Sequence, residues 1–197
     1  MATQPLTPLT AEEYLAIEEQ ADYKSEYYKG EMFAMAGATA NHNLLAFQLA
    51  GLLGQQLRGK PCRGMSSDMR VHVPATNLYA YPDMTIVCGP LRIERNNLLN
   101  PTLIVEVLSP STEGYDRGRK FDHYRAIESL AQYVTVAQDR MQVLVHSRTP
   151  EGHWLLTSAT RRGDNVELAS IGCSIPVGEL YDAVQLEGES FEAERTL

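Results

Sequence analysis

Two carboxylates stand in segments that are otherwise apolar. Asp83 comes directly before Met84-Thr85-Ile86-Val87, and Glu106 lies inside Leu103-Ile104-Val105-Glu106-Val107-Leu108. An ionised carboxylate in a buried strand is costly to desolvate unless a cation compensates it. Two such acids on adjacent strands would form a hard, oxygen-lined site suited to Mg²⁺ or Mn²⁺. The alternative is structural, with Glu106 paired to an arginine such as Arg70 and Asp83 capping a turn.

The residues around these acids resemble a nuclease signature. Pro82-Asp83, followed 23 residues later by Glu106-Val107-Leu108, is similar to the strand-borne motif of the PD-(D/E)XK nuclease superfamily. More closely, the chain resembles the Uma-type restriction endonuclease family from about Thr10 to Tyr181. The matching stretches are Glu26-Tyr27-Tyr28-Lys29-Gly30-Glu31, Met35-Ala36-Gly37 with His42, Tyr81-Pro82-Asp83, Leu103 to Thr112, and Asp116-Arg117-Gly118 with Lys120 and Tyr124.

One position departs from the superfamily pattern. The place of the signature lysine, two residues after the acid, is taken by Leu108. The resemblance implies that the lysine has moved to the next helix as Lys120, whose long stem can carry its ammonium back to the site. The alternative is a solvated lysine that pairs with Asp116 at i,i+4.

The resemblance implies two further site residues, Glu26 and His42. Glu26 would be an additional acid near the metal, and His42 a ligand or a phosphate contact. The alternatives are a solvated carboxylate in a hairpin strand and a core histidine with satisfied hydrogen bonds. Asp68 and Asp116 are plausible neighbours only.

The implied chemistry is metal-dependent hydrolysis of DNA phosphodiester bonds. Asp83 and Glu106, with a backbone carbonyl near Val107, would hold Mg²⁺ or Mn²⁺, and Lys120 would orient water or balance transition-state charge. Two other functions are open: a nuclease-fold module that binds DNA or regulates without significant cleavage, and a hydrolase of small phosphorylated molecules.

The elements that must position these residues can be read from the hydrophobic pattern. Thr10-Ala11-Glu12-Glu13 predicts a capped helix to about Ala21, and Lys29-Gly30 predicts a hairpin turn. Apolar residues at helical spacing predict a helix from Ala40 to Leu57 with His42 on its inward face.

Strands and one further helix are predicted after residue 60. The strands are Met69–Val73, Tyr79–Val87, Thr102–Leu108, Gln132–Ala137, Met141–Ser147 and Trp154–Thr160, and the helix is Glu113–Glu128. With the resemblance, the expected fold is α/β: a restriction-endonuclease-like core with a mixed central β-sheet flanked by helices, plus an N-terminal helix and hairpin.

Length indicates a single domain over residues 1–186, which the resemblance implies is nuclease-like, and charge indicates an acidic, disordered tail over 187–197. The net charge of −8 is concentrated at the ends: residues 1–31 and 179–197 each carry −5, whereas residues 32–178 carry +2. A DNA partner therefore remains compatible with the middle of the chain.

The sequence also leads to expectations about the cellular compartment and the oligomeric state. No stretch approaches the roughly 18 apolar residues of a membrane span, and no secretory signal is visible. The three scattered cysteines argue against a disulfide framework or a zinc site and favour the cytoplasm. A homodimer is expected because cutting both DNA strands needs two sites related by symmetry.

Overall fold

The computed structural model describes residues 8–35, 37–109, 114 and 116–186. The helices in this part are α1 (Ala11–Glu18), α2 (Ala40–Gln56), α3 (Phe121–Tyr124) and α4 (Val177–Leu180), with a π-helical turn, Asp116–Lys120, directly before α3. None of them is long and apolar enough to cross a bilayer. The acidic tail predicted for 187–197 lies outside the described residues.

The strands form two larger sheets and one hairpin. They are β1 (Ser25–Tyr28), β2 (Glu31–Ala34), β3 (Cys62–Ser66), β4 (Arg70–Val73), β5 (Leu78–Ala80), β6 (Met84–Cys88), β7 (Ile93–Glu94), β8 (Asn97–Leu98), β9 (Leu103–Leu108), β10 (Gln132–Ala137), β11 (Val143–Arg148), β12 (Trp154–Ala159), β13 (Asn165–Leu168) and β14 (Cys173–Pro176). The first sheet has the order β2-β1-β5-β4-β8-β7, the second β12-β11-β10-β9-β6-β3, and β13 pairs with β14.

The second sheet is the mixed central sheet that was predicted. Its inner pair, β9 and β10, is parallel, while its other pairs are antiparallel. Every residue of β9 and β10 is buried, because one face packs on α2, α4 and the β13–β14 hairpin and the other on the first sheet and α3. This double cover explains the continuous apolar run around Glu106.

The prediction of one strand from Tyr79 to Val87 is wrong. The chain forms β5 in the first sheet, crosses at Tyr81-Pro82-Asp83, and enters the second sheet as β6. Pro82 has no amide hydrogen for a sheet ladder, which explains the break there. Asp83 therefore lies where the chain passes from one sheet to the other.

The N-terminal helix and hairpin are present as predicted. Thr10 and Glu13 form both hydrogen bonds of a capping box at the start of α1. Lys29 and Gly30, with φ of +50° and +88°, make the turn between β1 and β2. A Cβ at Gly30 would collide with Pro8, so this turn requires glycine for space as well as for φ.

The helix predicted for Glu113–Glu128 is shorter and less regular in its described part. The π-helical turn widens the backbone spacing, so Asp116 and Lys120 face inward together with Phe121 and Tyr124. Such widened turns are frequent at functional sites. Glu113 itself lies outside the described residues.

The sequence did not predict that two of the three cysteines pair. Cys62 in β3 is the register partner of Cys88 in β6, their Cα atoms are 4.0 Å apart, and they form a disulfide. The two cysteines are 26 residues apart, so their spacing in the sequence does not predict that they pair. The cysteines therefore no longer favour the cytoplasm, and Cys173 is a buried free thiol.

Candidate active site

Asp83 and Glu106 are brought side by side by the pairing of β6 with β9. The register matches Met84 with Val105, so Asp83, one residue before β6, lies beside Glu106. The Val107 amide donates to Asp83 Oδ2 at 2.7 Å. Glu106 is only 4 % exposed, so its carboxylate is in the interior rather than in solvent.

Lys120 lies against these acids. Its Nζ is 3.0 Å from Glu106 Oε1, 2.8 Å from Glu26 Oε1 and 3.6 Å from Asp116 Oδ1. The side chain is 6 % exposed, so the alternative of a solvated lysine paired only with Asp116 is wrong. The π-helical turn carries the ammonium to the face of β9 where Glu106 lies.

Glu26 and His42 also reach the cluster. Glu26, on β1, accepts a hydrogen bond from the Tyr81 amide at 3.3 Å besides its contact with Lys120, and its side chain is 12 % exposed rather than solvated. His42, in the first turn of α2, places Nε2 3.2 Å from Asp83 Oδ1. That hydrogen bond raises the pKa of His42, against the opposing effect of burial.

The cluster carries more acid than base. Four carboxylates, those of Glu26, Asp83, Glu106 and Asp116, surround one ammonium and one imidazole. Burial raises the pKa of Glu106 well above its usual range, and Lys120 only partly offsets this. Burial alone would lower the pKa of Lys120, but the carboxylate of Glu106 and its neighbours hold it well above its usual range. The excess negative charge thus retains protons and favours a cation.

Tyr124, which the motif resemblance included without assigning it a role, is also a contact of the site. Its hydroxyl donates to Glu106 Oε1 at 3.1 Å. Burial raises the pKa of Tyr124 well above its usual range, so the hydroxyl keeps its proton and remains a donor. Phe121, Tyr124 and Ile127 are spaced to lie on one side of a helix, which is typical of core residues, whereas the hydroxyl of Tyr124 was the signal for a polar partner.

Of the two acids predicted to neighbour the site, one lies in the cluster and the other does not. Asp116 lies in the cluster, and its carbonyl accepts from the Tyr133 hydroxyl at 2.8 Å. Asp68 is 86 % exposed and pairs with Lys24 at 3.1 Å, away from Glu106. Only the first of these acids is therefore placed to influence Glu106.

Arg70, the arginine considered as a partner of Glu106, does not pair with it. Arg70 is buried elsewhere, with Nε bonded to Asn97 Oδ1 and Nη1 3.3 Å from the Tyr81 hydroxyl. That hydroxyl donates to Glu18 Oε1 at 2.9 Å, so Arg70 belongs to a polar network that holds α1. Glu106 pairs instead with Lys120.

The donor set fits a hard divalent cation. The cluster is not a preformed metal site, because in the part of the chain that the structure describes no group of three or more His, Cys, Asp or Glu side chains is arranged to hold a metal ion. The protein would therefore supply few ligands: the carboxylates of Asp83 and Glu106 and the carbonyl of Val107. Mg²⁺ is commonly bound in this way, by one or two carboxylates together with phosphate and water oxygens.

Comparison with solved structures finds a protein of the same fold. The described fold superposes on a crystal structure of "a putative nuclease belonging to DUF820" from Anabaena variabilis, with a TM-score of 0.74 and 14 % identity, covering 89 % of this chain and 98 % of that one. At this identity the likeness shows the fold, which is restriction-endonuclease-like as predicted.

The sequence comparisons identify the family. Residues 11–178 match the model of the Uma2 family, described as "Putative restriction endonuclease". Two uncharacterized Synechocystis proteins are also similar: slr1290 is 35 % identical over 90 % of this chain and 93 % of its own length, and sll1609 is 39 % identical over 81 % and 91 %. The chain belongs to the Uma2 family, which confirms the resemblance stated from its motifs.

Proposed function

We propose that this protein hydrolyses DNA phosphodiester bonds with the help of Mg²⁺ or Mn²⁺. The observation that supports this most is the buried ammonium of Lys120, 3.0 Å from Glu106, in a cluster whose carboxylates outnumber its cations. The family match and the nuclease fold support the same class of reaction.

Each residue of the site would have a role that follows from its position. Asp83, Glu106 and the Val107 carbonyl would hold the cation, which when bound supplies positive charge to the phosphate oxygens and lowers the pKa of water. Glu26 and Tyr124 fix the place of Lys120 and Glu106 through the contacts described above. Lys120 would then present its charge to the oxygens that become more negative in the transition state.

Cleavage of supercoiled plasmid DNA with Mg²⁺ or Mn²⁺ tests this function. Asp83→Ala should abolish nicking. It should also abolish the weak Mn²⁺ binding that we expect calorimetry to detect without DNA, because it removes one of two protein carboxylates. Asp68→Ala is the matched control, since that acid is 86 % exposed and pairs only with Lys24 among the contacts described.

The alternatives give different results. A parent protein that binds the plasmid but never nicks it would indicate a DNA-binding or regulatory module. Cleavage of small phosphodiesters alone would indicate a small-molecule hydrolase. Unchanged Mn²⁺ binding in Asp83→Ala would place the metal elsewhere.

A further inference from the structure

The outward face of α2 is apolar and uncharged. The inward face of the helix is made of core leucines, Leu45, Leu49 and Leu53. On the opposite face, Leu44 is 37 % exposed and Phe47 is 77 % exposed. From Ala40 to Gln56 the helix contains no Asp, Glu, Lys or Arg. A surface helix normally places charged residues on its outer face, whereas a helix that is apolar on both faces is normally covered on both.

Two glycines leave open space on the same face. Gly51 and Gly54 are exposed, and a Cβ built on either would meet no atom within 4 Å. With the two bulky residues they form a stripe along the helix, the α2 stripe, which consists of Leu44, Phe47, Gly51 and Gly54. Its spacings of three, four and three residues are those of the seam between two helices of a coiled coil. The stripe is bulky in its first half and open in its second.

The α2 stripe is complementary to itself when it is reversed. In an antiparallel pair of α2 helices related by a two-fold axis at Leu49, Leu44 of each copy would face Gly54 of the other. Phe47 would face Gly51 in the same arrangement, so each bulky side chain fills the space above a glycine. The pair also places opposite helix ends side by side. This is favourable because α2 has no acidic residue in its first turn and no basic residue in its last turn to compensate its own dipole.

We propose that two copies of this chain associate through the α2 stripe, packed as an antiparallel helix pair. The proposal does not depend on the proposed hydrolysis of DNA. A nucleic acid is a poor occupant of this face, because contact with phosphates needs Lys or Arg and α2 has neither. An uncharged contact with an aromatic residue at its centre suits two copies that each carry a net charge of −8.

Phe47→Glu tests the contact, because it places a carboxylate in both symmetry-related halves of the pair. The dissociation constant of the dimer, measured by sedimentation equilibrium, should rise at least about a hundredfold. The circular dichroism spectrum should not change, since this side chain is 77 % exposed within one copy. Tyr23→Glu is the matched control: it changes another exposed aromatic residue, 60 % exposed and outside α2, and should associate like the parent.

Cysteine cross-linking tests the antiparallel register. Under oxidising conditions, the double variant Leu44→Cys/Gly54→Cys should form a disulfide-linked dimer, because the two positions face each other across the pair. At 1.5 Å per residue, they lie about 15 Å apart within one copy, as do like positions of the two copies. Since this distance is too long for a disulfide, neither single variant should cross-link.

Unchanged association of Phe47→Glu, or a parent that stays monomeric together with a double variant that does not cross-link, overturns the proposal. Loss of association in Phe33→Glu on β2 or Leu156→Glu on β12, while Phe47→Glu still dimerises, also overturns it and assigns the contact to a sheet edge. Cross-linking of either single variant to the same extent as the double variant overturns the antiparallel register.

Discussion

At the residue scale, the chemistry depends on one ammonium that is shared among buried carboxylates. Lys120 contacts Glu26, Glu106 and Asp116, and each of the four side chains is at most 12 % exposed. Removing one partner of a buried ion pair leaves an uncompensated charge in the interior. The lysine is therefore expected to affect stability as well as turnover.

Lys120→Met keeps the length of the stem and removes the charge. Without metal, we expect the free energy of unfolding to fall by about 3–5 kcal/mol, the usual effect of breaking a buried ion pair. Mg²⁺ or Mn²⁺ should restore part of the lost stability, because a bound cation can replace the missing positive charge. Plasmid cleavage should fall by orders of magnitude, since charge stabilisation in the transition state is lost. Lys120→Arg should rescue cleavage poorly because its planar group cannot place one compact charge at the same point.

The control is Lys24→Met, which breaks the exposed pair with Asp68 and should change the unfolding free energy by no more than about 1 kcal/mol. Thermal melts with and without metal, together with single-turnover cleavage, measure both effects. A Lys120→Met protein that cleaves like the parent would refute the displaced-lysine assignment and leave Asp83 and Glu106 in place.

At the element scale, α1 is fixed to the first sheet by buried polar contacts. Glu18, near the helix end, accepts from the Ser25 amide at 3.0 Å and from the Tyr81 hydroxyl at 2.9 Å. The Tyr14 hydroxyl donates to the Ser25 carbonyl at 2.6 Å. The same tyrosine ring stacks on Tyr27, with ring centres 4.9 Å apart. Because Tyr81 directly precedes Pro82-Asp83, this docking also supports the segment that positions the site.

Glu18→Ala should lower the free energy of unfolding by about 3 kcal/mol, since it leaves several buried donors without an acceptor. Glu19→Ala, the exposed neighbour, should have an effect within about 0.5 kcal/mol. Urea denaturation of the two variants measures this difference. Equal stability of the two proteins would show that α1 is held by its apolar contacts alone.

The disulfide between β3 and β6 gives a second test of element packing. Closing a 26-residue segment should contribute about 3 kcal/mol by restricting the unfolded chain. The double variant Cys62→Ser/Cys88→Ser should be destabilised by about that amount, and a reducing agent should lower the melting temperature of the parent but not of the variant. Cys173→Ser provides the control. If thiol titration finds three free cysteines in the oxidised parent, the disulfide is absent in solution.

The elements were predictable where local patterns are strong. The capping box of α1, the Lys29-Gly30 turn and the apolar spacing of α2 each depend on residues close together in sequence, and all were confirmed. The break at Pro82 was missed because the apolar run continues on both sides of it. The first half pairs with β4, which directly precedes it, whereas the second half joins the other sheet by pairing with β9, which is not adjacent in sequence.

The sequence predicted which residues form the site, but not how they contact one another. Motif resemblance named Glu26, His42 and Lys120, which the structure places around Asp83 and Glu106. Their catalytic roles remain predictions. The π-helical turn that directs Lys120 inward was not predicted, and the resemblance included Tyr124 without assigning it a contact. The Cys62–Cys88 pair likewise depends on strand register, which the sequence alone did not supply.

At the scale of the whole molecule, two-fold association is expected if both DNA strands are cut. Phe33 on β2 and Leu155 and Leu156 on β12 are about half exposed, and both strands lie at sheet edges. Light scattering at micromolar concentrations should give the mass of a dimer. Phe33→Glu and Leu156→Glu, compared singly, should show whether either edge forms the contact in place of α2. A monomer mass throughout this concentration range would contradict the prediction of a dimer.

The charge distribution along the whole chain leads to a prediction about DNA affinity. Leu186 is buried in the main core cluster, so a truncation after it should leave the packed core intact. Such a truncation removes Glu187, Glu189, Glu192, Glu194 and Arg195, a gain of three positive units. We expect DNA binding to become tighter by a few-fold, because the repulsion between the tail carboxylates and the phosphates is removed. The difference should be largest at low salt.

Replacing the same four glutamates by glutamine separates charge from length. This full-length variant should gain affinity as the truncated one does, because both remove four carboxylates that repel phosphate. Both should melt at the temperature of the parent. Anisotropy titrations at several salt concentrations measure the effect. If truncation tightens binding and the glutamine variant does not, the tail acts by occupying space rather than by its charge. If truncation lowers the melting temperature, residues after Leu186 contribute to the fold and the domain boundary must move towards the C-terminus.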